Sequence, residues 1–180
     1  MEKRFGLKSY GVHLWTREKA RQIRSRLNAV LEGLASGDVL AIDAAGVEIF
    51  DFSFANELFG KTIASLAAEH PGRFFIVENL TEDASENLSK ALESSNLMMI
   101  VRGQGKLGLL GRVHPADQET FEEIVKGGQA VSASTLSRKL EVNLTAMNER
   151  LSKLTNLGLV RRERGSSASG REQYVYRLLN

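Results

Sequence analysis

The chain has 180 residues, a hydrophobic fraction of 42% and a formal net charge of +2, enough apolar material for two modest cores. It contains no cysteine, which excludes disulfides, thiolate metal sites and a cysteine nucleophile and fits a reducing compartment. No apolar run approaches bilayer length and no charged-then-apolar leader opens the chain, so the expectation is a cytoplasmic protein with no membrane partner.

Phe5 to Leu14, interrupted by Gly6 and Gly11, reads as one or two short strands. Thr16 then caps a long helix on which Ala20, Ile23, Leu27, Val30, Leu31 and Leu34 recur at spacings of three and four, closed by Gly37. Its polar face begins with Arg17, Lys19, Arg21, Arg24 and Arg26. A solvated face explains those cations about as well as an anion-binding surface does. Asp38 to Asp43 is strand-like; Val47, Ile49 and Phe50 lead into a turn, and Ser53 or Asp51 caps a helix with Phe54, Leu58, Ile63, Leu66 and Ala67 inward. Pro71 and Gly72 end that unit. Phe74 to Val77 is a buried strand, Thr81 caps a helix bearing Ala84, Leu88, Ala91 and Leu92, and Leu97 to Val101 is a further strand. Strands alternating with helices at this spacing predict an α/β unit with one sheet covered by helices.

The segment VLAIDAAGVEIFDFSFANELFGK, from Val39 to Lys61, carries a strand ending in Asp43, the Gly46-Val47 step and the run Ser53-Phe54-Ala55-Asn56-Glu57-Leu58-Phe59-Gly60. It resembles a STAS-like domain, the sheet-and-helix module related to anti-sigma-factor antagonists, and the resemblance spans roughly residues 1–102. It implies binding to a protein partner, with a serine at the start of this helix as a phosphorylation switch. Here Phe52 stands where many antagonists have that serine, and Ser53 comes one place later. Ser53 is accordingly read as an N-cap, worth about 1 kcal/mol, ahead of a phosphosite. Asn56 and Glu57 are read as surface or subunit contacts. Asp43 and Asp51 flank the same turn and are assigned to local hydrogen bonds. His13, His70 and His114 share no ligand spacing, so neither a metal nor another cofactor is expected.

Gly103-Gln-Gly-Lys-Leu-Gly108 fits G-x-G-x-x-G, but no strand-helix-strand unit surrounds it and no acidic residue follows on a second strand. Residues 103–114 are therefore read as a glycine-rich linker, with Leu107, Leu109 and Leu110 packing on a domain or a second subunit.

Pro115 opens a helix with Phe121, Ile124 and Val125 inward. Ser132 caps a short helix whose Leu136 and Leu140 lead through Val142 to Asn143, the cap of a longer helix that carries Met147, Leu151, Leu154 and Leu157 on one side and stops at Gly158. Two strand-like runs follow, Leu159 to Arg164 and Gln173 to Leu178, joined by a small polar loop. This order resembles a winged helix-turn-helix, a mainly α domain over residues 115–180. The resemblance implies a second helix in the major groove and wing cations on the minor groove or backbone.

Charge agrees in sign. From Asn143 onward Arg150, Lys153, Arg161, Arg162, Arg164, Arg171 and Arg177 face only Glu149, Glu163 and Glu172, whereas acids slightly outnumber bases between Met1 and Leu110. A basic end on a near-neutral body is the footprint of a polyanion partner. The expectation is a non-enzymatic, homodimeric regulator that binds double-stranded DNA. Thr145, Asn148, Glu149 and Arg150 face the major groove; Lys153, Arg164 and Arg171 reach phosphate or the minor groove; Ser134 and Thr135 bond a phosphate. The STAS-like domain senses a partner, a ligand or self-association, with Ser53, Asn56 and Glu57 as its regulatory residues. The alternative is an adaptor that binds only protein.

Overall fold

The computed structural model describes residues 1–166, 170 and 172–179. The chain is mixed α/β and divides into two compact units, Met1–Val113 and His114–Asn180.

The first unit runs β1 (Glu2–Gly6), a 3₁₀ turn at Lys8–Tyr10, β2 (His13–Leu14), α1 (Arg17–Glu32), β3 (Val39–Asp43) and β4 (Ile49–Phe50). It continues through α2 (Phe52–Ala55), a π turn at Asn56–Gly60, α3 (Lys61–Glu69), β5 (Phe74–Glu78), α4 (Glu82–Ser94), β6 (Met98–Gly103) and β7 (Lys106–Gly111). Five strands form one sheet in the order β1-β3-β5-β6-β7. The first four are parallel and β7 is antiparallel to β6. Helical crossovers join the parallel strands, as the alternation in sequence predicts. Leu40, Ile42, Phe75 and Val77 share one sheet face, and the ring of Phe75 lies 6.1 Å from that of Phe59, which turns this face toward the helices.

The opposite face carries a layer of interlocked charges. Arg102 donates to Glu2 at 2.6 and 3.0 Å and to Glu78 at 2.9 Å, and Arg4 lies 3.2 Å from the second oxygen of Glu78. Ala41, Ile76 and Ile100, on the same face, are fully buried. The Arg102 hydrogen bonds hold the Glu2 carboxyl below its usual range, and Glu2 raises Arg102 in turn.

Several local expectations change. Of residues 103–114, expected to be a linker, 103–111 are a strand hairpin and only 112–114 connect it to the next helix. Gln104 and Gly105, both at positive φ, make the tight turn that folds β7 back onto β6, so the G-x-G-x-x-G run is a hairpin. Helix α1 ends at Glu32 with Gly33 as its C-cap, before Gly37. Asp51, not Ser53, caps α2, accepting from the Phe54 amide at 2.7 Å. Asp43 accepts from Asn79 at 2.8 Å and from the Ala45 amide at 2.9 Å, bonds that hold its carboxyl low; both aspartates thus serve local structure.

The second unit comprises α5 (Pro115–Gly127), β8 (Val131–Ser132), α6 (Ala133–Lys139), α7 (Leu144–Asn156), β9 (Arg161–Ser166) and β10 (Glu172–Arg177). Its three strands form an antiparallel sheet in the order β8-β10-β9. Phe121, Ile124, Leu136, Met147, Leu151, Leu154, Leu159 and Val160 are its buried core. Ser132 and Asn143 cap α6 and α7 as expected.

Candidate nucleic-acid interface

Helix α7 buries Met147, Leu151 and Leu154. With 3.6 residues per turn, the opposite side is a stripe of Thr145, Asn148, Glu149, Ser152 and Asn156, and all five are exposed. These are short hydrogen-bonding groups with one acid among them. Leu144, at the first turn, is 49% exposed.

Of the helix's cations, Arg150 lies off that stripe and Lys153, exposed at its margin, is tied to α5. Arg150 is half-buried against α5, where it donates to the Ala116 carbonyl at 3.3 Å and lies 3.5 Å from Glu119. Lys153 donates at 2.6 Å to Asp117, which is buried. The expectation that Arg150 faces the groove is therefore corrected, whereas Lys153, expected at phosphate, is exposed but paired with Asp117. Burying the first turn of α5 against α7 leaves the Asp117 carboxylate out of water, and a cation must accompany it. Glu149 leans toward the same junction, a hollow of about 340 Å³ lined by His114, Asp117, Arg150 and Lys153 as well.

Exposed cations lie on α6 and β9. Arg138 closes α6, and Arg162 and Arg164 alternate outward along β9. The register sets Arg164 opposite Tyr174 and Arg162 opposite Tyr176 on one face of the hairpin. The Arg162 guanidinium stacks 4.7 Å from the centre of the Tyr174 ring, an arrangement that fixes a cation without neutralising it. Tyr176 is buried, and that burial raises its phenol above the usual value while nearby Arg162 opposes the shift. Arg177 is consumed by Glu163 at 2.7 Å, and Lys139 by Glu123. Ser134 and Thr135 are exposed at the start of α6, their hydroxyls 2.9 and 3.0 Å from that of Ser132. Arg171 lies outside the described residues.

The structure thus places Thr145, Asn148, Glu149, Ser134, Thr135 and Arg164 on the surface. Arg138 is a further exposed cation, and Arg162, counted above only in the basic surplus, joins Arg164 on the exposed side of β9; alternation along the strand was the available signal.

In the first unit, Ser53, Asn56 and Glu57 do not form one site. Ser53 is half-buried inside α2, and Asn56 donates to Ser95 at 3.3 Å. Glu57, expected on the surface, is buried among Lys61 at 2.6 Å, Arg24 at 3.1 Å and Arg21 at 3.8 Å. Part of the basic start of α1 is therefore a counter-charge for Glu57. Val12, Trp15 and Phe52 are exposed, at 41%, 46% and 39%, around the paired β2 and β4. No group of three or more acidic or histidine side chains suited to a metal occurs among the described residues. No described helix is long and apolar enough to cross a membrane.

The chain matches no known protein family and no curated protein. Among solved structures it is similar to a possible transcriptional regulator from Methanosarcina mazei Go1, at 13% identity over 44% of this chain and 72% of the other, with a TM-score of 0.34.

Proposed function

We propose that this chain is a non-catalytic, DNA-binding transcriptional regulator whose first unit receives a signal. The observation that carries the reading is the division of labour around α7. Its outward stripe offers the hydrogen-bonding groups of Thr145, Asn148 and Ser152, its own cations Arg150 and Lys153 are paired with acids of α5, and further exposed cations stand on α6 and the β9–β10 hairpin. Base edges are read by short polar side chains, and phosphates are held by flanking cations. The order helix, strand, helix, helix, strand, strand supports the winged-helix resemblance, in which α7 lies in the major groove and the hairpin is the wing. Glu149 selects for a cytosine amine or stands clear of the groove wall.

Fluorescence anisotropy tests this, with duplex DNA from the gene's own upstream region, a scrambled duplex and a salt series for each. The expected result is preference for the native duplex, a steep loss of affinity with salt, and at least about a tenfold further loss in Arg162→Ala/Arg164→Ala. Flat anisotropy on both duplexes at low salt overturns it.

A second reading, a protein-binding adaptor, draws on the exposed Val12, Trp15 and Phe52 beside the Asp51 cap. Large apolar side chains left exposed favour a protein surface. That reading expects Trp15→Ala or Phe52→Ala to abolish partner binding, with no effect of the β9 arginines.

A further inference from the structure

The five-stranded sheet has two edges, and they are built differently. At one edge β1 presents Glu2, Lys3 and Arg4, all exposed, the charges that keep a strand edge from pairing with another chain. At the other edge β7 reads Lys106-Leu107-Gly108-Leu109-Leu110-Gly111. It has no proline and no positive φ between Lys106 and Leu110, and the leucines are half-buried. On its outer side no strand pairs with it among the described residues. The Gly111 carbonyl accepts from the Val113 amide, but among the described residues nothing bonds the outward amides and carbonyls of Leu107 and Leu109, which are left as a template. We infer that β7 is a homodimer interface, pairing antiparallel with β7 of a second copy to join two sheets into one.

The occupant follows from symmetry and charge. Two identical strands related by a two-fold axis pair antiparallel, with each free donor meeting an acceptor of its twin. An axis through Leu109 would set Lys106 opposite Arg112 of the second copy, a like-charge clash. An axis through Gly108 sets Leu107 opposite Leu109 and Lys106 opposite Leu110, with no like charges facing. Gly108 then meets Gly108. One strand pair buries less than the ~1,600 Å² of a stable interface, so dissociation in the micromolar range is expected. Such a dimer forms with or without DNA.

Sedimentation velocity of the unmodified full chain from about 1 to about 100 μM should show the mass doubling with concentration, and Leu109→Lys, checked for folding by circular dichroism, should remain a monomer. The cysteine-free sequence supplies a second test. A Cβ added at Gly108 meets only the Val101 side chain, at 3.8 Å, so Gly108→Cys fits. Directly opposed Cβ atoms in a strand pair lie about 4.5–5.5 Å apart, near disulfide reach. Mild oxidation should cross-link Gly108→Cys into a covalent dimer and leave Lys3→Cys, on the guarded edge, uncross-linked. A monomer at every concentration overturns the interface, as does cross-linking of Gly108→Cys no faster than Lys3→Cys or a dimer that persists in Leu109→Lys.

Discussion

The two sheets of this chain use arginine in opposite ways. On the first, Arg4 and Arg102 lie flat across a sheet face and are answered by Glu2 and Glu78, so the charges close the face. On the second, Arg162 and Arg164 stand outward beside Tyr174, so the charges open it. Cations counted along a sequence thus describe a partner surface only after those spent on internal carboxylates are removed. Helix α7 makes the point within a few residues: Arg150 and Lys153 supply the local positive charge, yet both serve α5.

The largest effect that would break this contrast is on the closed face. Glu78→Ala leaves Arg4 and Arg102 over the buried Ile76 with only Glu2 to answer them, and should cost about 2 kcal/mol, less than for a fully buried pair because both arginines keep some solvent. Urea denaturation should show the midpoint falling with an unchanged slope. On the open face, Arg162→Ala/Arg164→Ala should leave the midpoint within about 0.5 kcal/mol while lowering DNA affinity about tenfold and flattening the salt slope by about 2.

Asn143→Ala removes the cap that accepts from the Ala146 amide at 2.8 Å and should cost about 1 kcal/mol; Asn143→Asp should retain it. The smallest expected effect is on pH. Glu2 and Asp43 titrate below their usual 4.5 and 3.8 in the folded chain, so at moderately acid pH the unfolded chain binds more protons. Their stabilisation is present above those usual values and drains away as pH falls through the lower folded ones. An acid series of denaturation midpoints should fall below about pH 4.5, and Glu2→Gln should make it shallower by roughly 0.5 kcal/mol.

Much of the fold could be read from periodicity, because the core helices carry clean three-and-four spacings and the caps Thr16, Thr81, Ser132 and Asn143 are short polar residues at the expected places. The hairpin at Gly103 was lost because glycines at 103, 105, 108 and 111 look like a tether; only the alternation around a Gln-Gly turn marks a strand pair. Of the candidate site, the exposed polar stripe of α7 was legible from its opposition to Met147, Leu151 and Leu154. The fate of the cations was not, since Asp117 and Glu119 pair with them across more than thirty residues. Glu57 was misplaced for a different reason. The apolar set after Asp51 steps by five from Leu58 to Ile63, a step that an α-helix does not make, and the π turn takes it up.

That turn has a consequence for chain length. A π turn holds one residue more than the α turn it replaces, so Asn56–Gly60 is an insertion already absorbed by the fold. Dropping one residue there returns the helix to regular winding and leaves Ile63 and Leu66 facing the core. The same deletion between Ile63 and Leu66 turns every later side chain by about 100° and carries Leu66 out toward solvent. The helix can shorten by one residue without losing its inward face at a single turn, and the chain has marked that turn with its bulge.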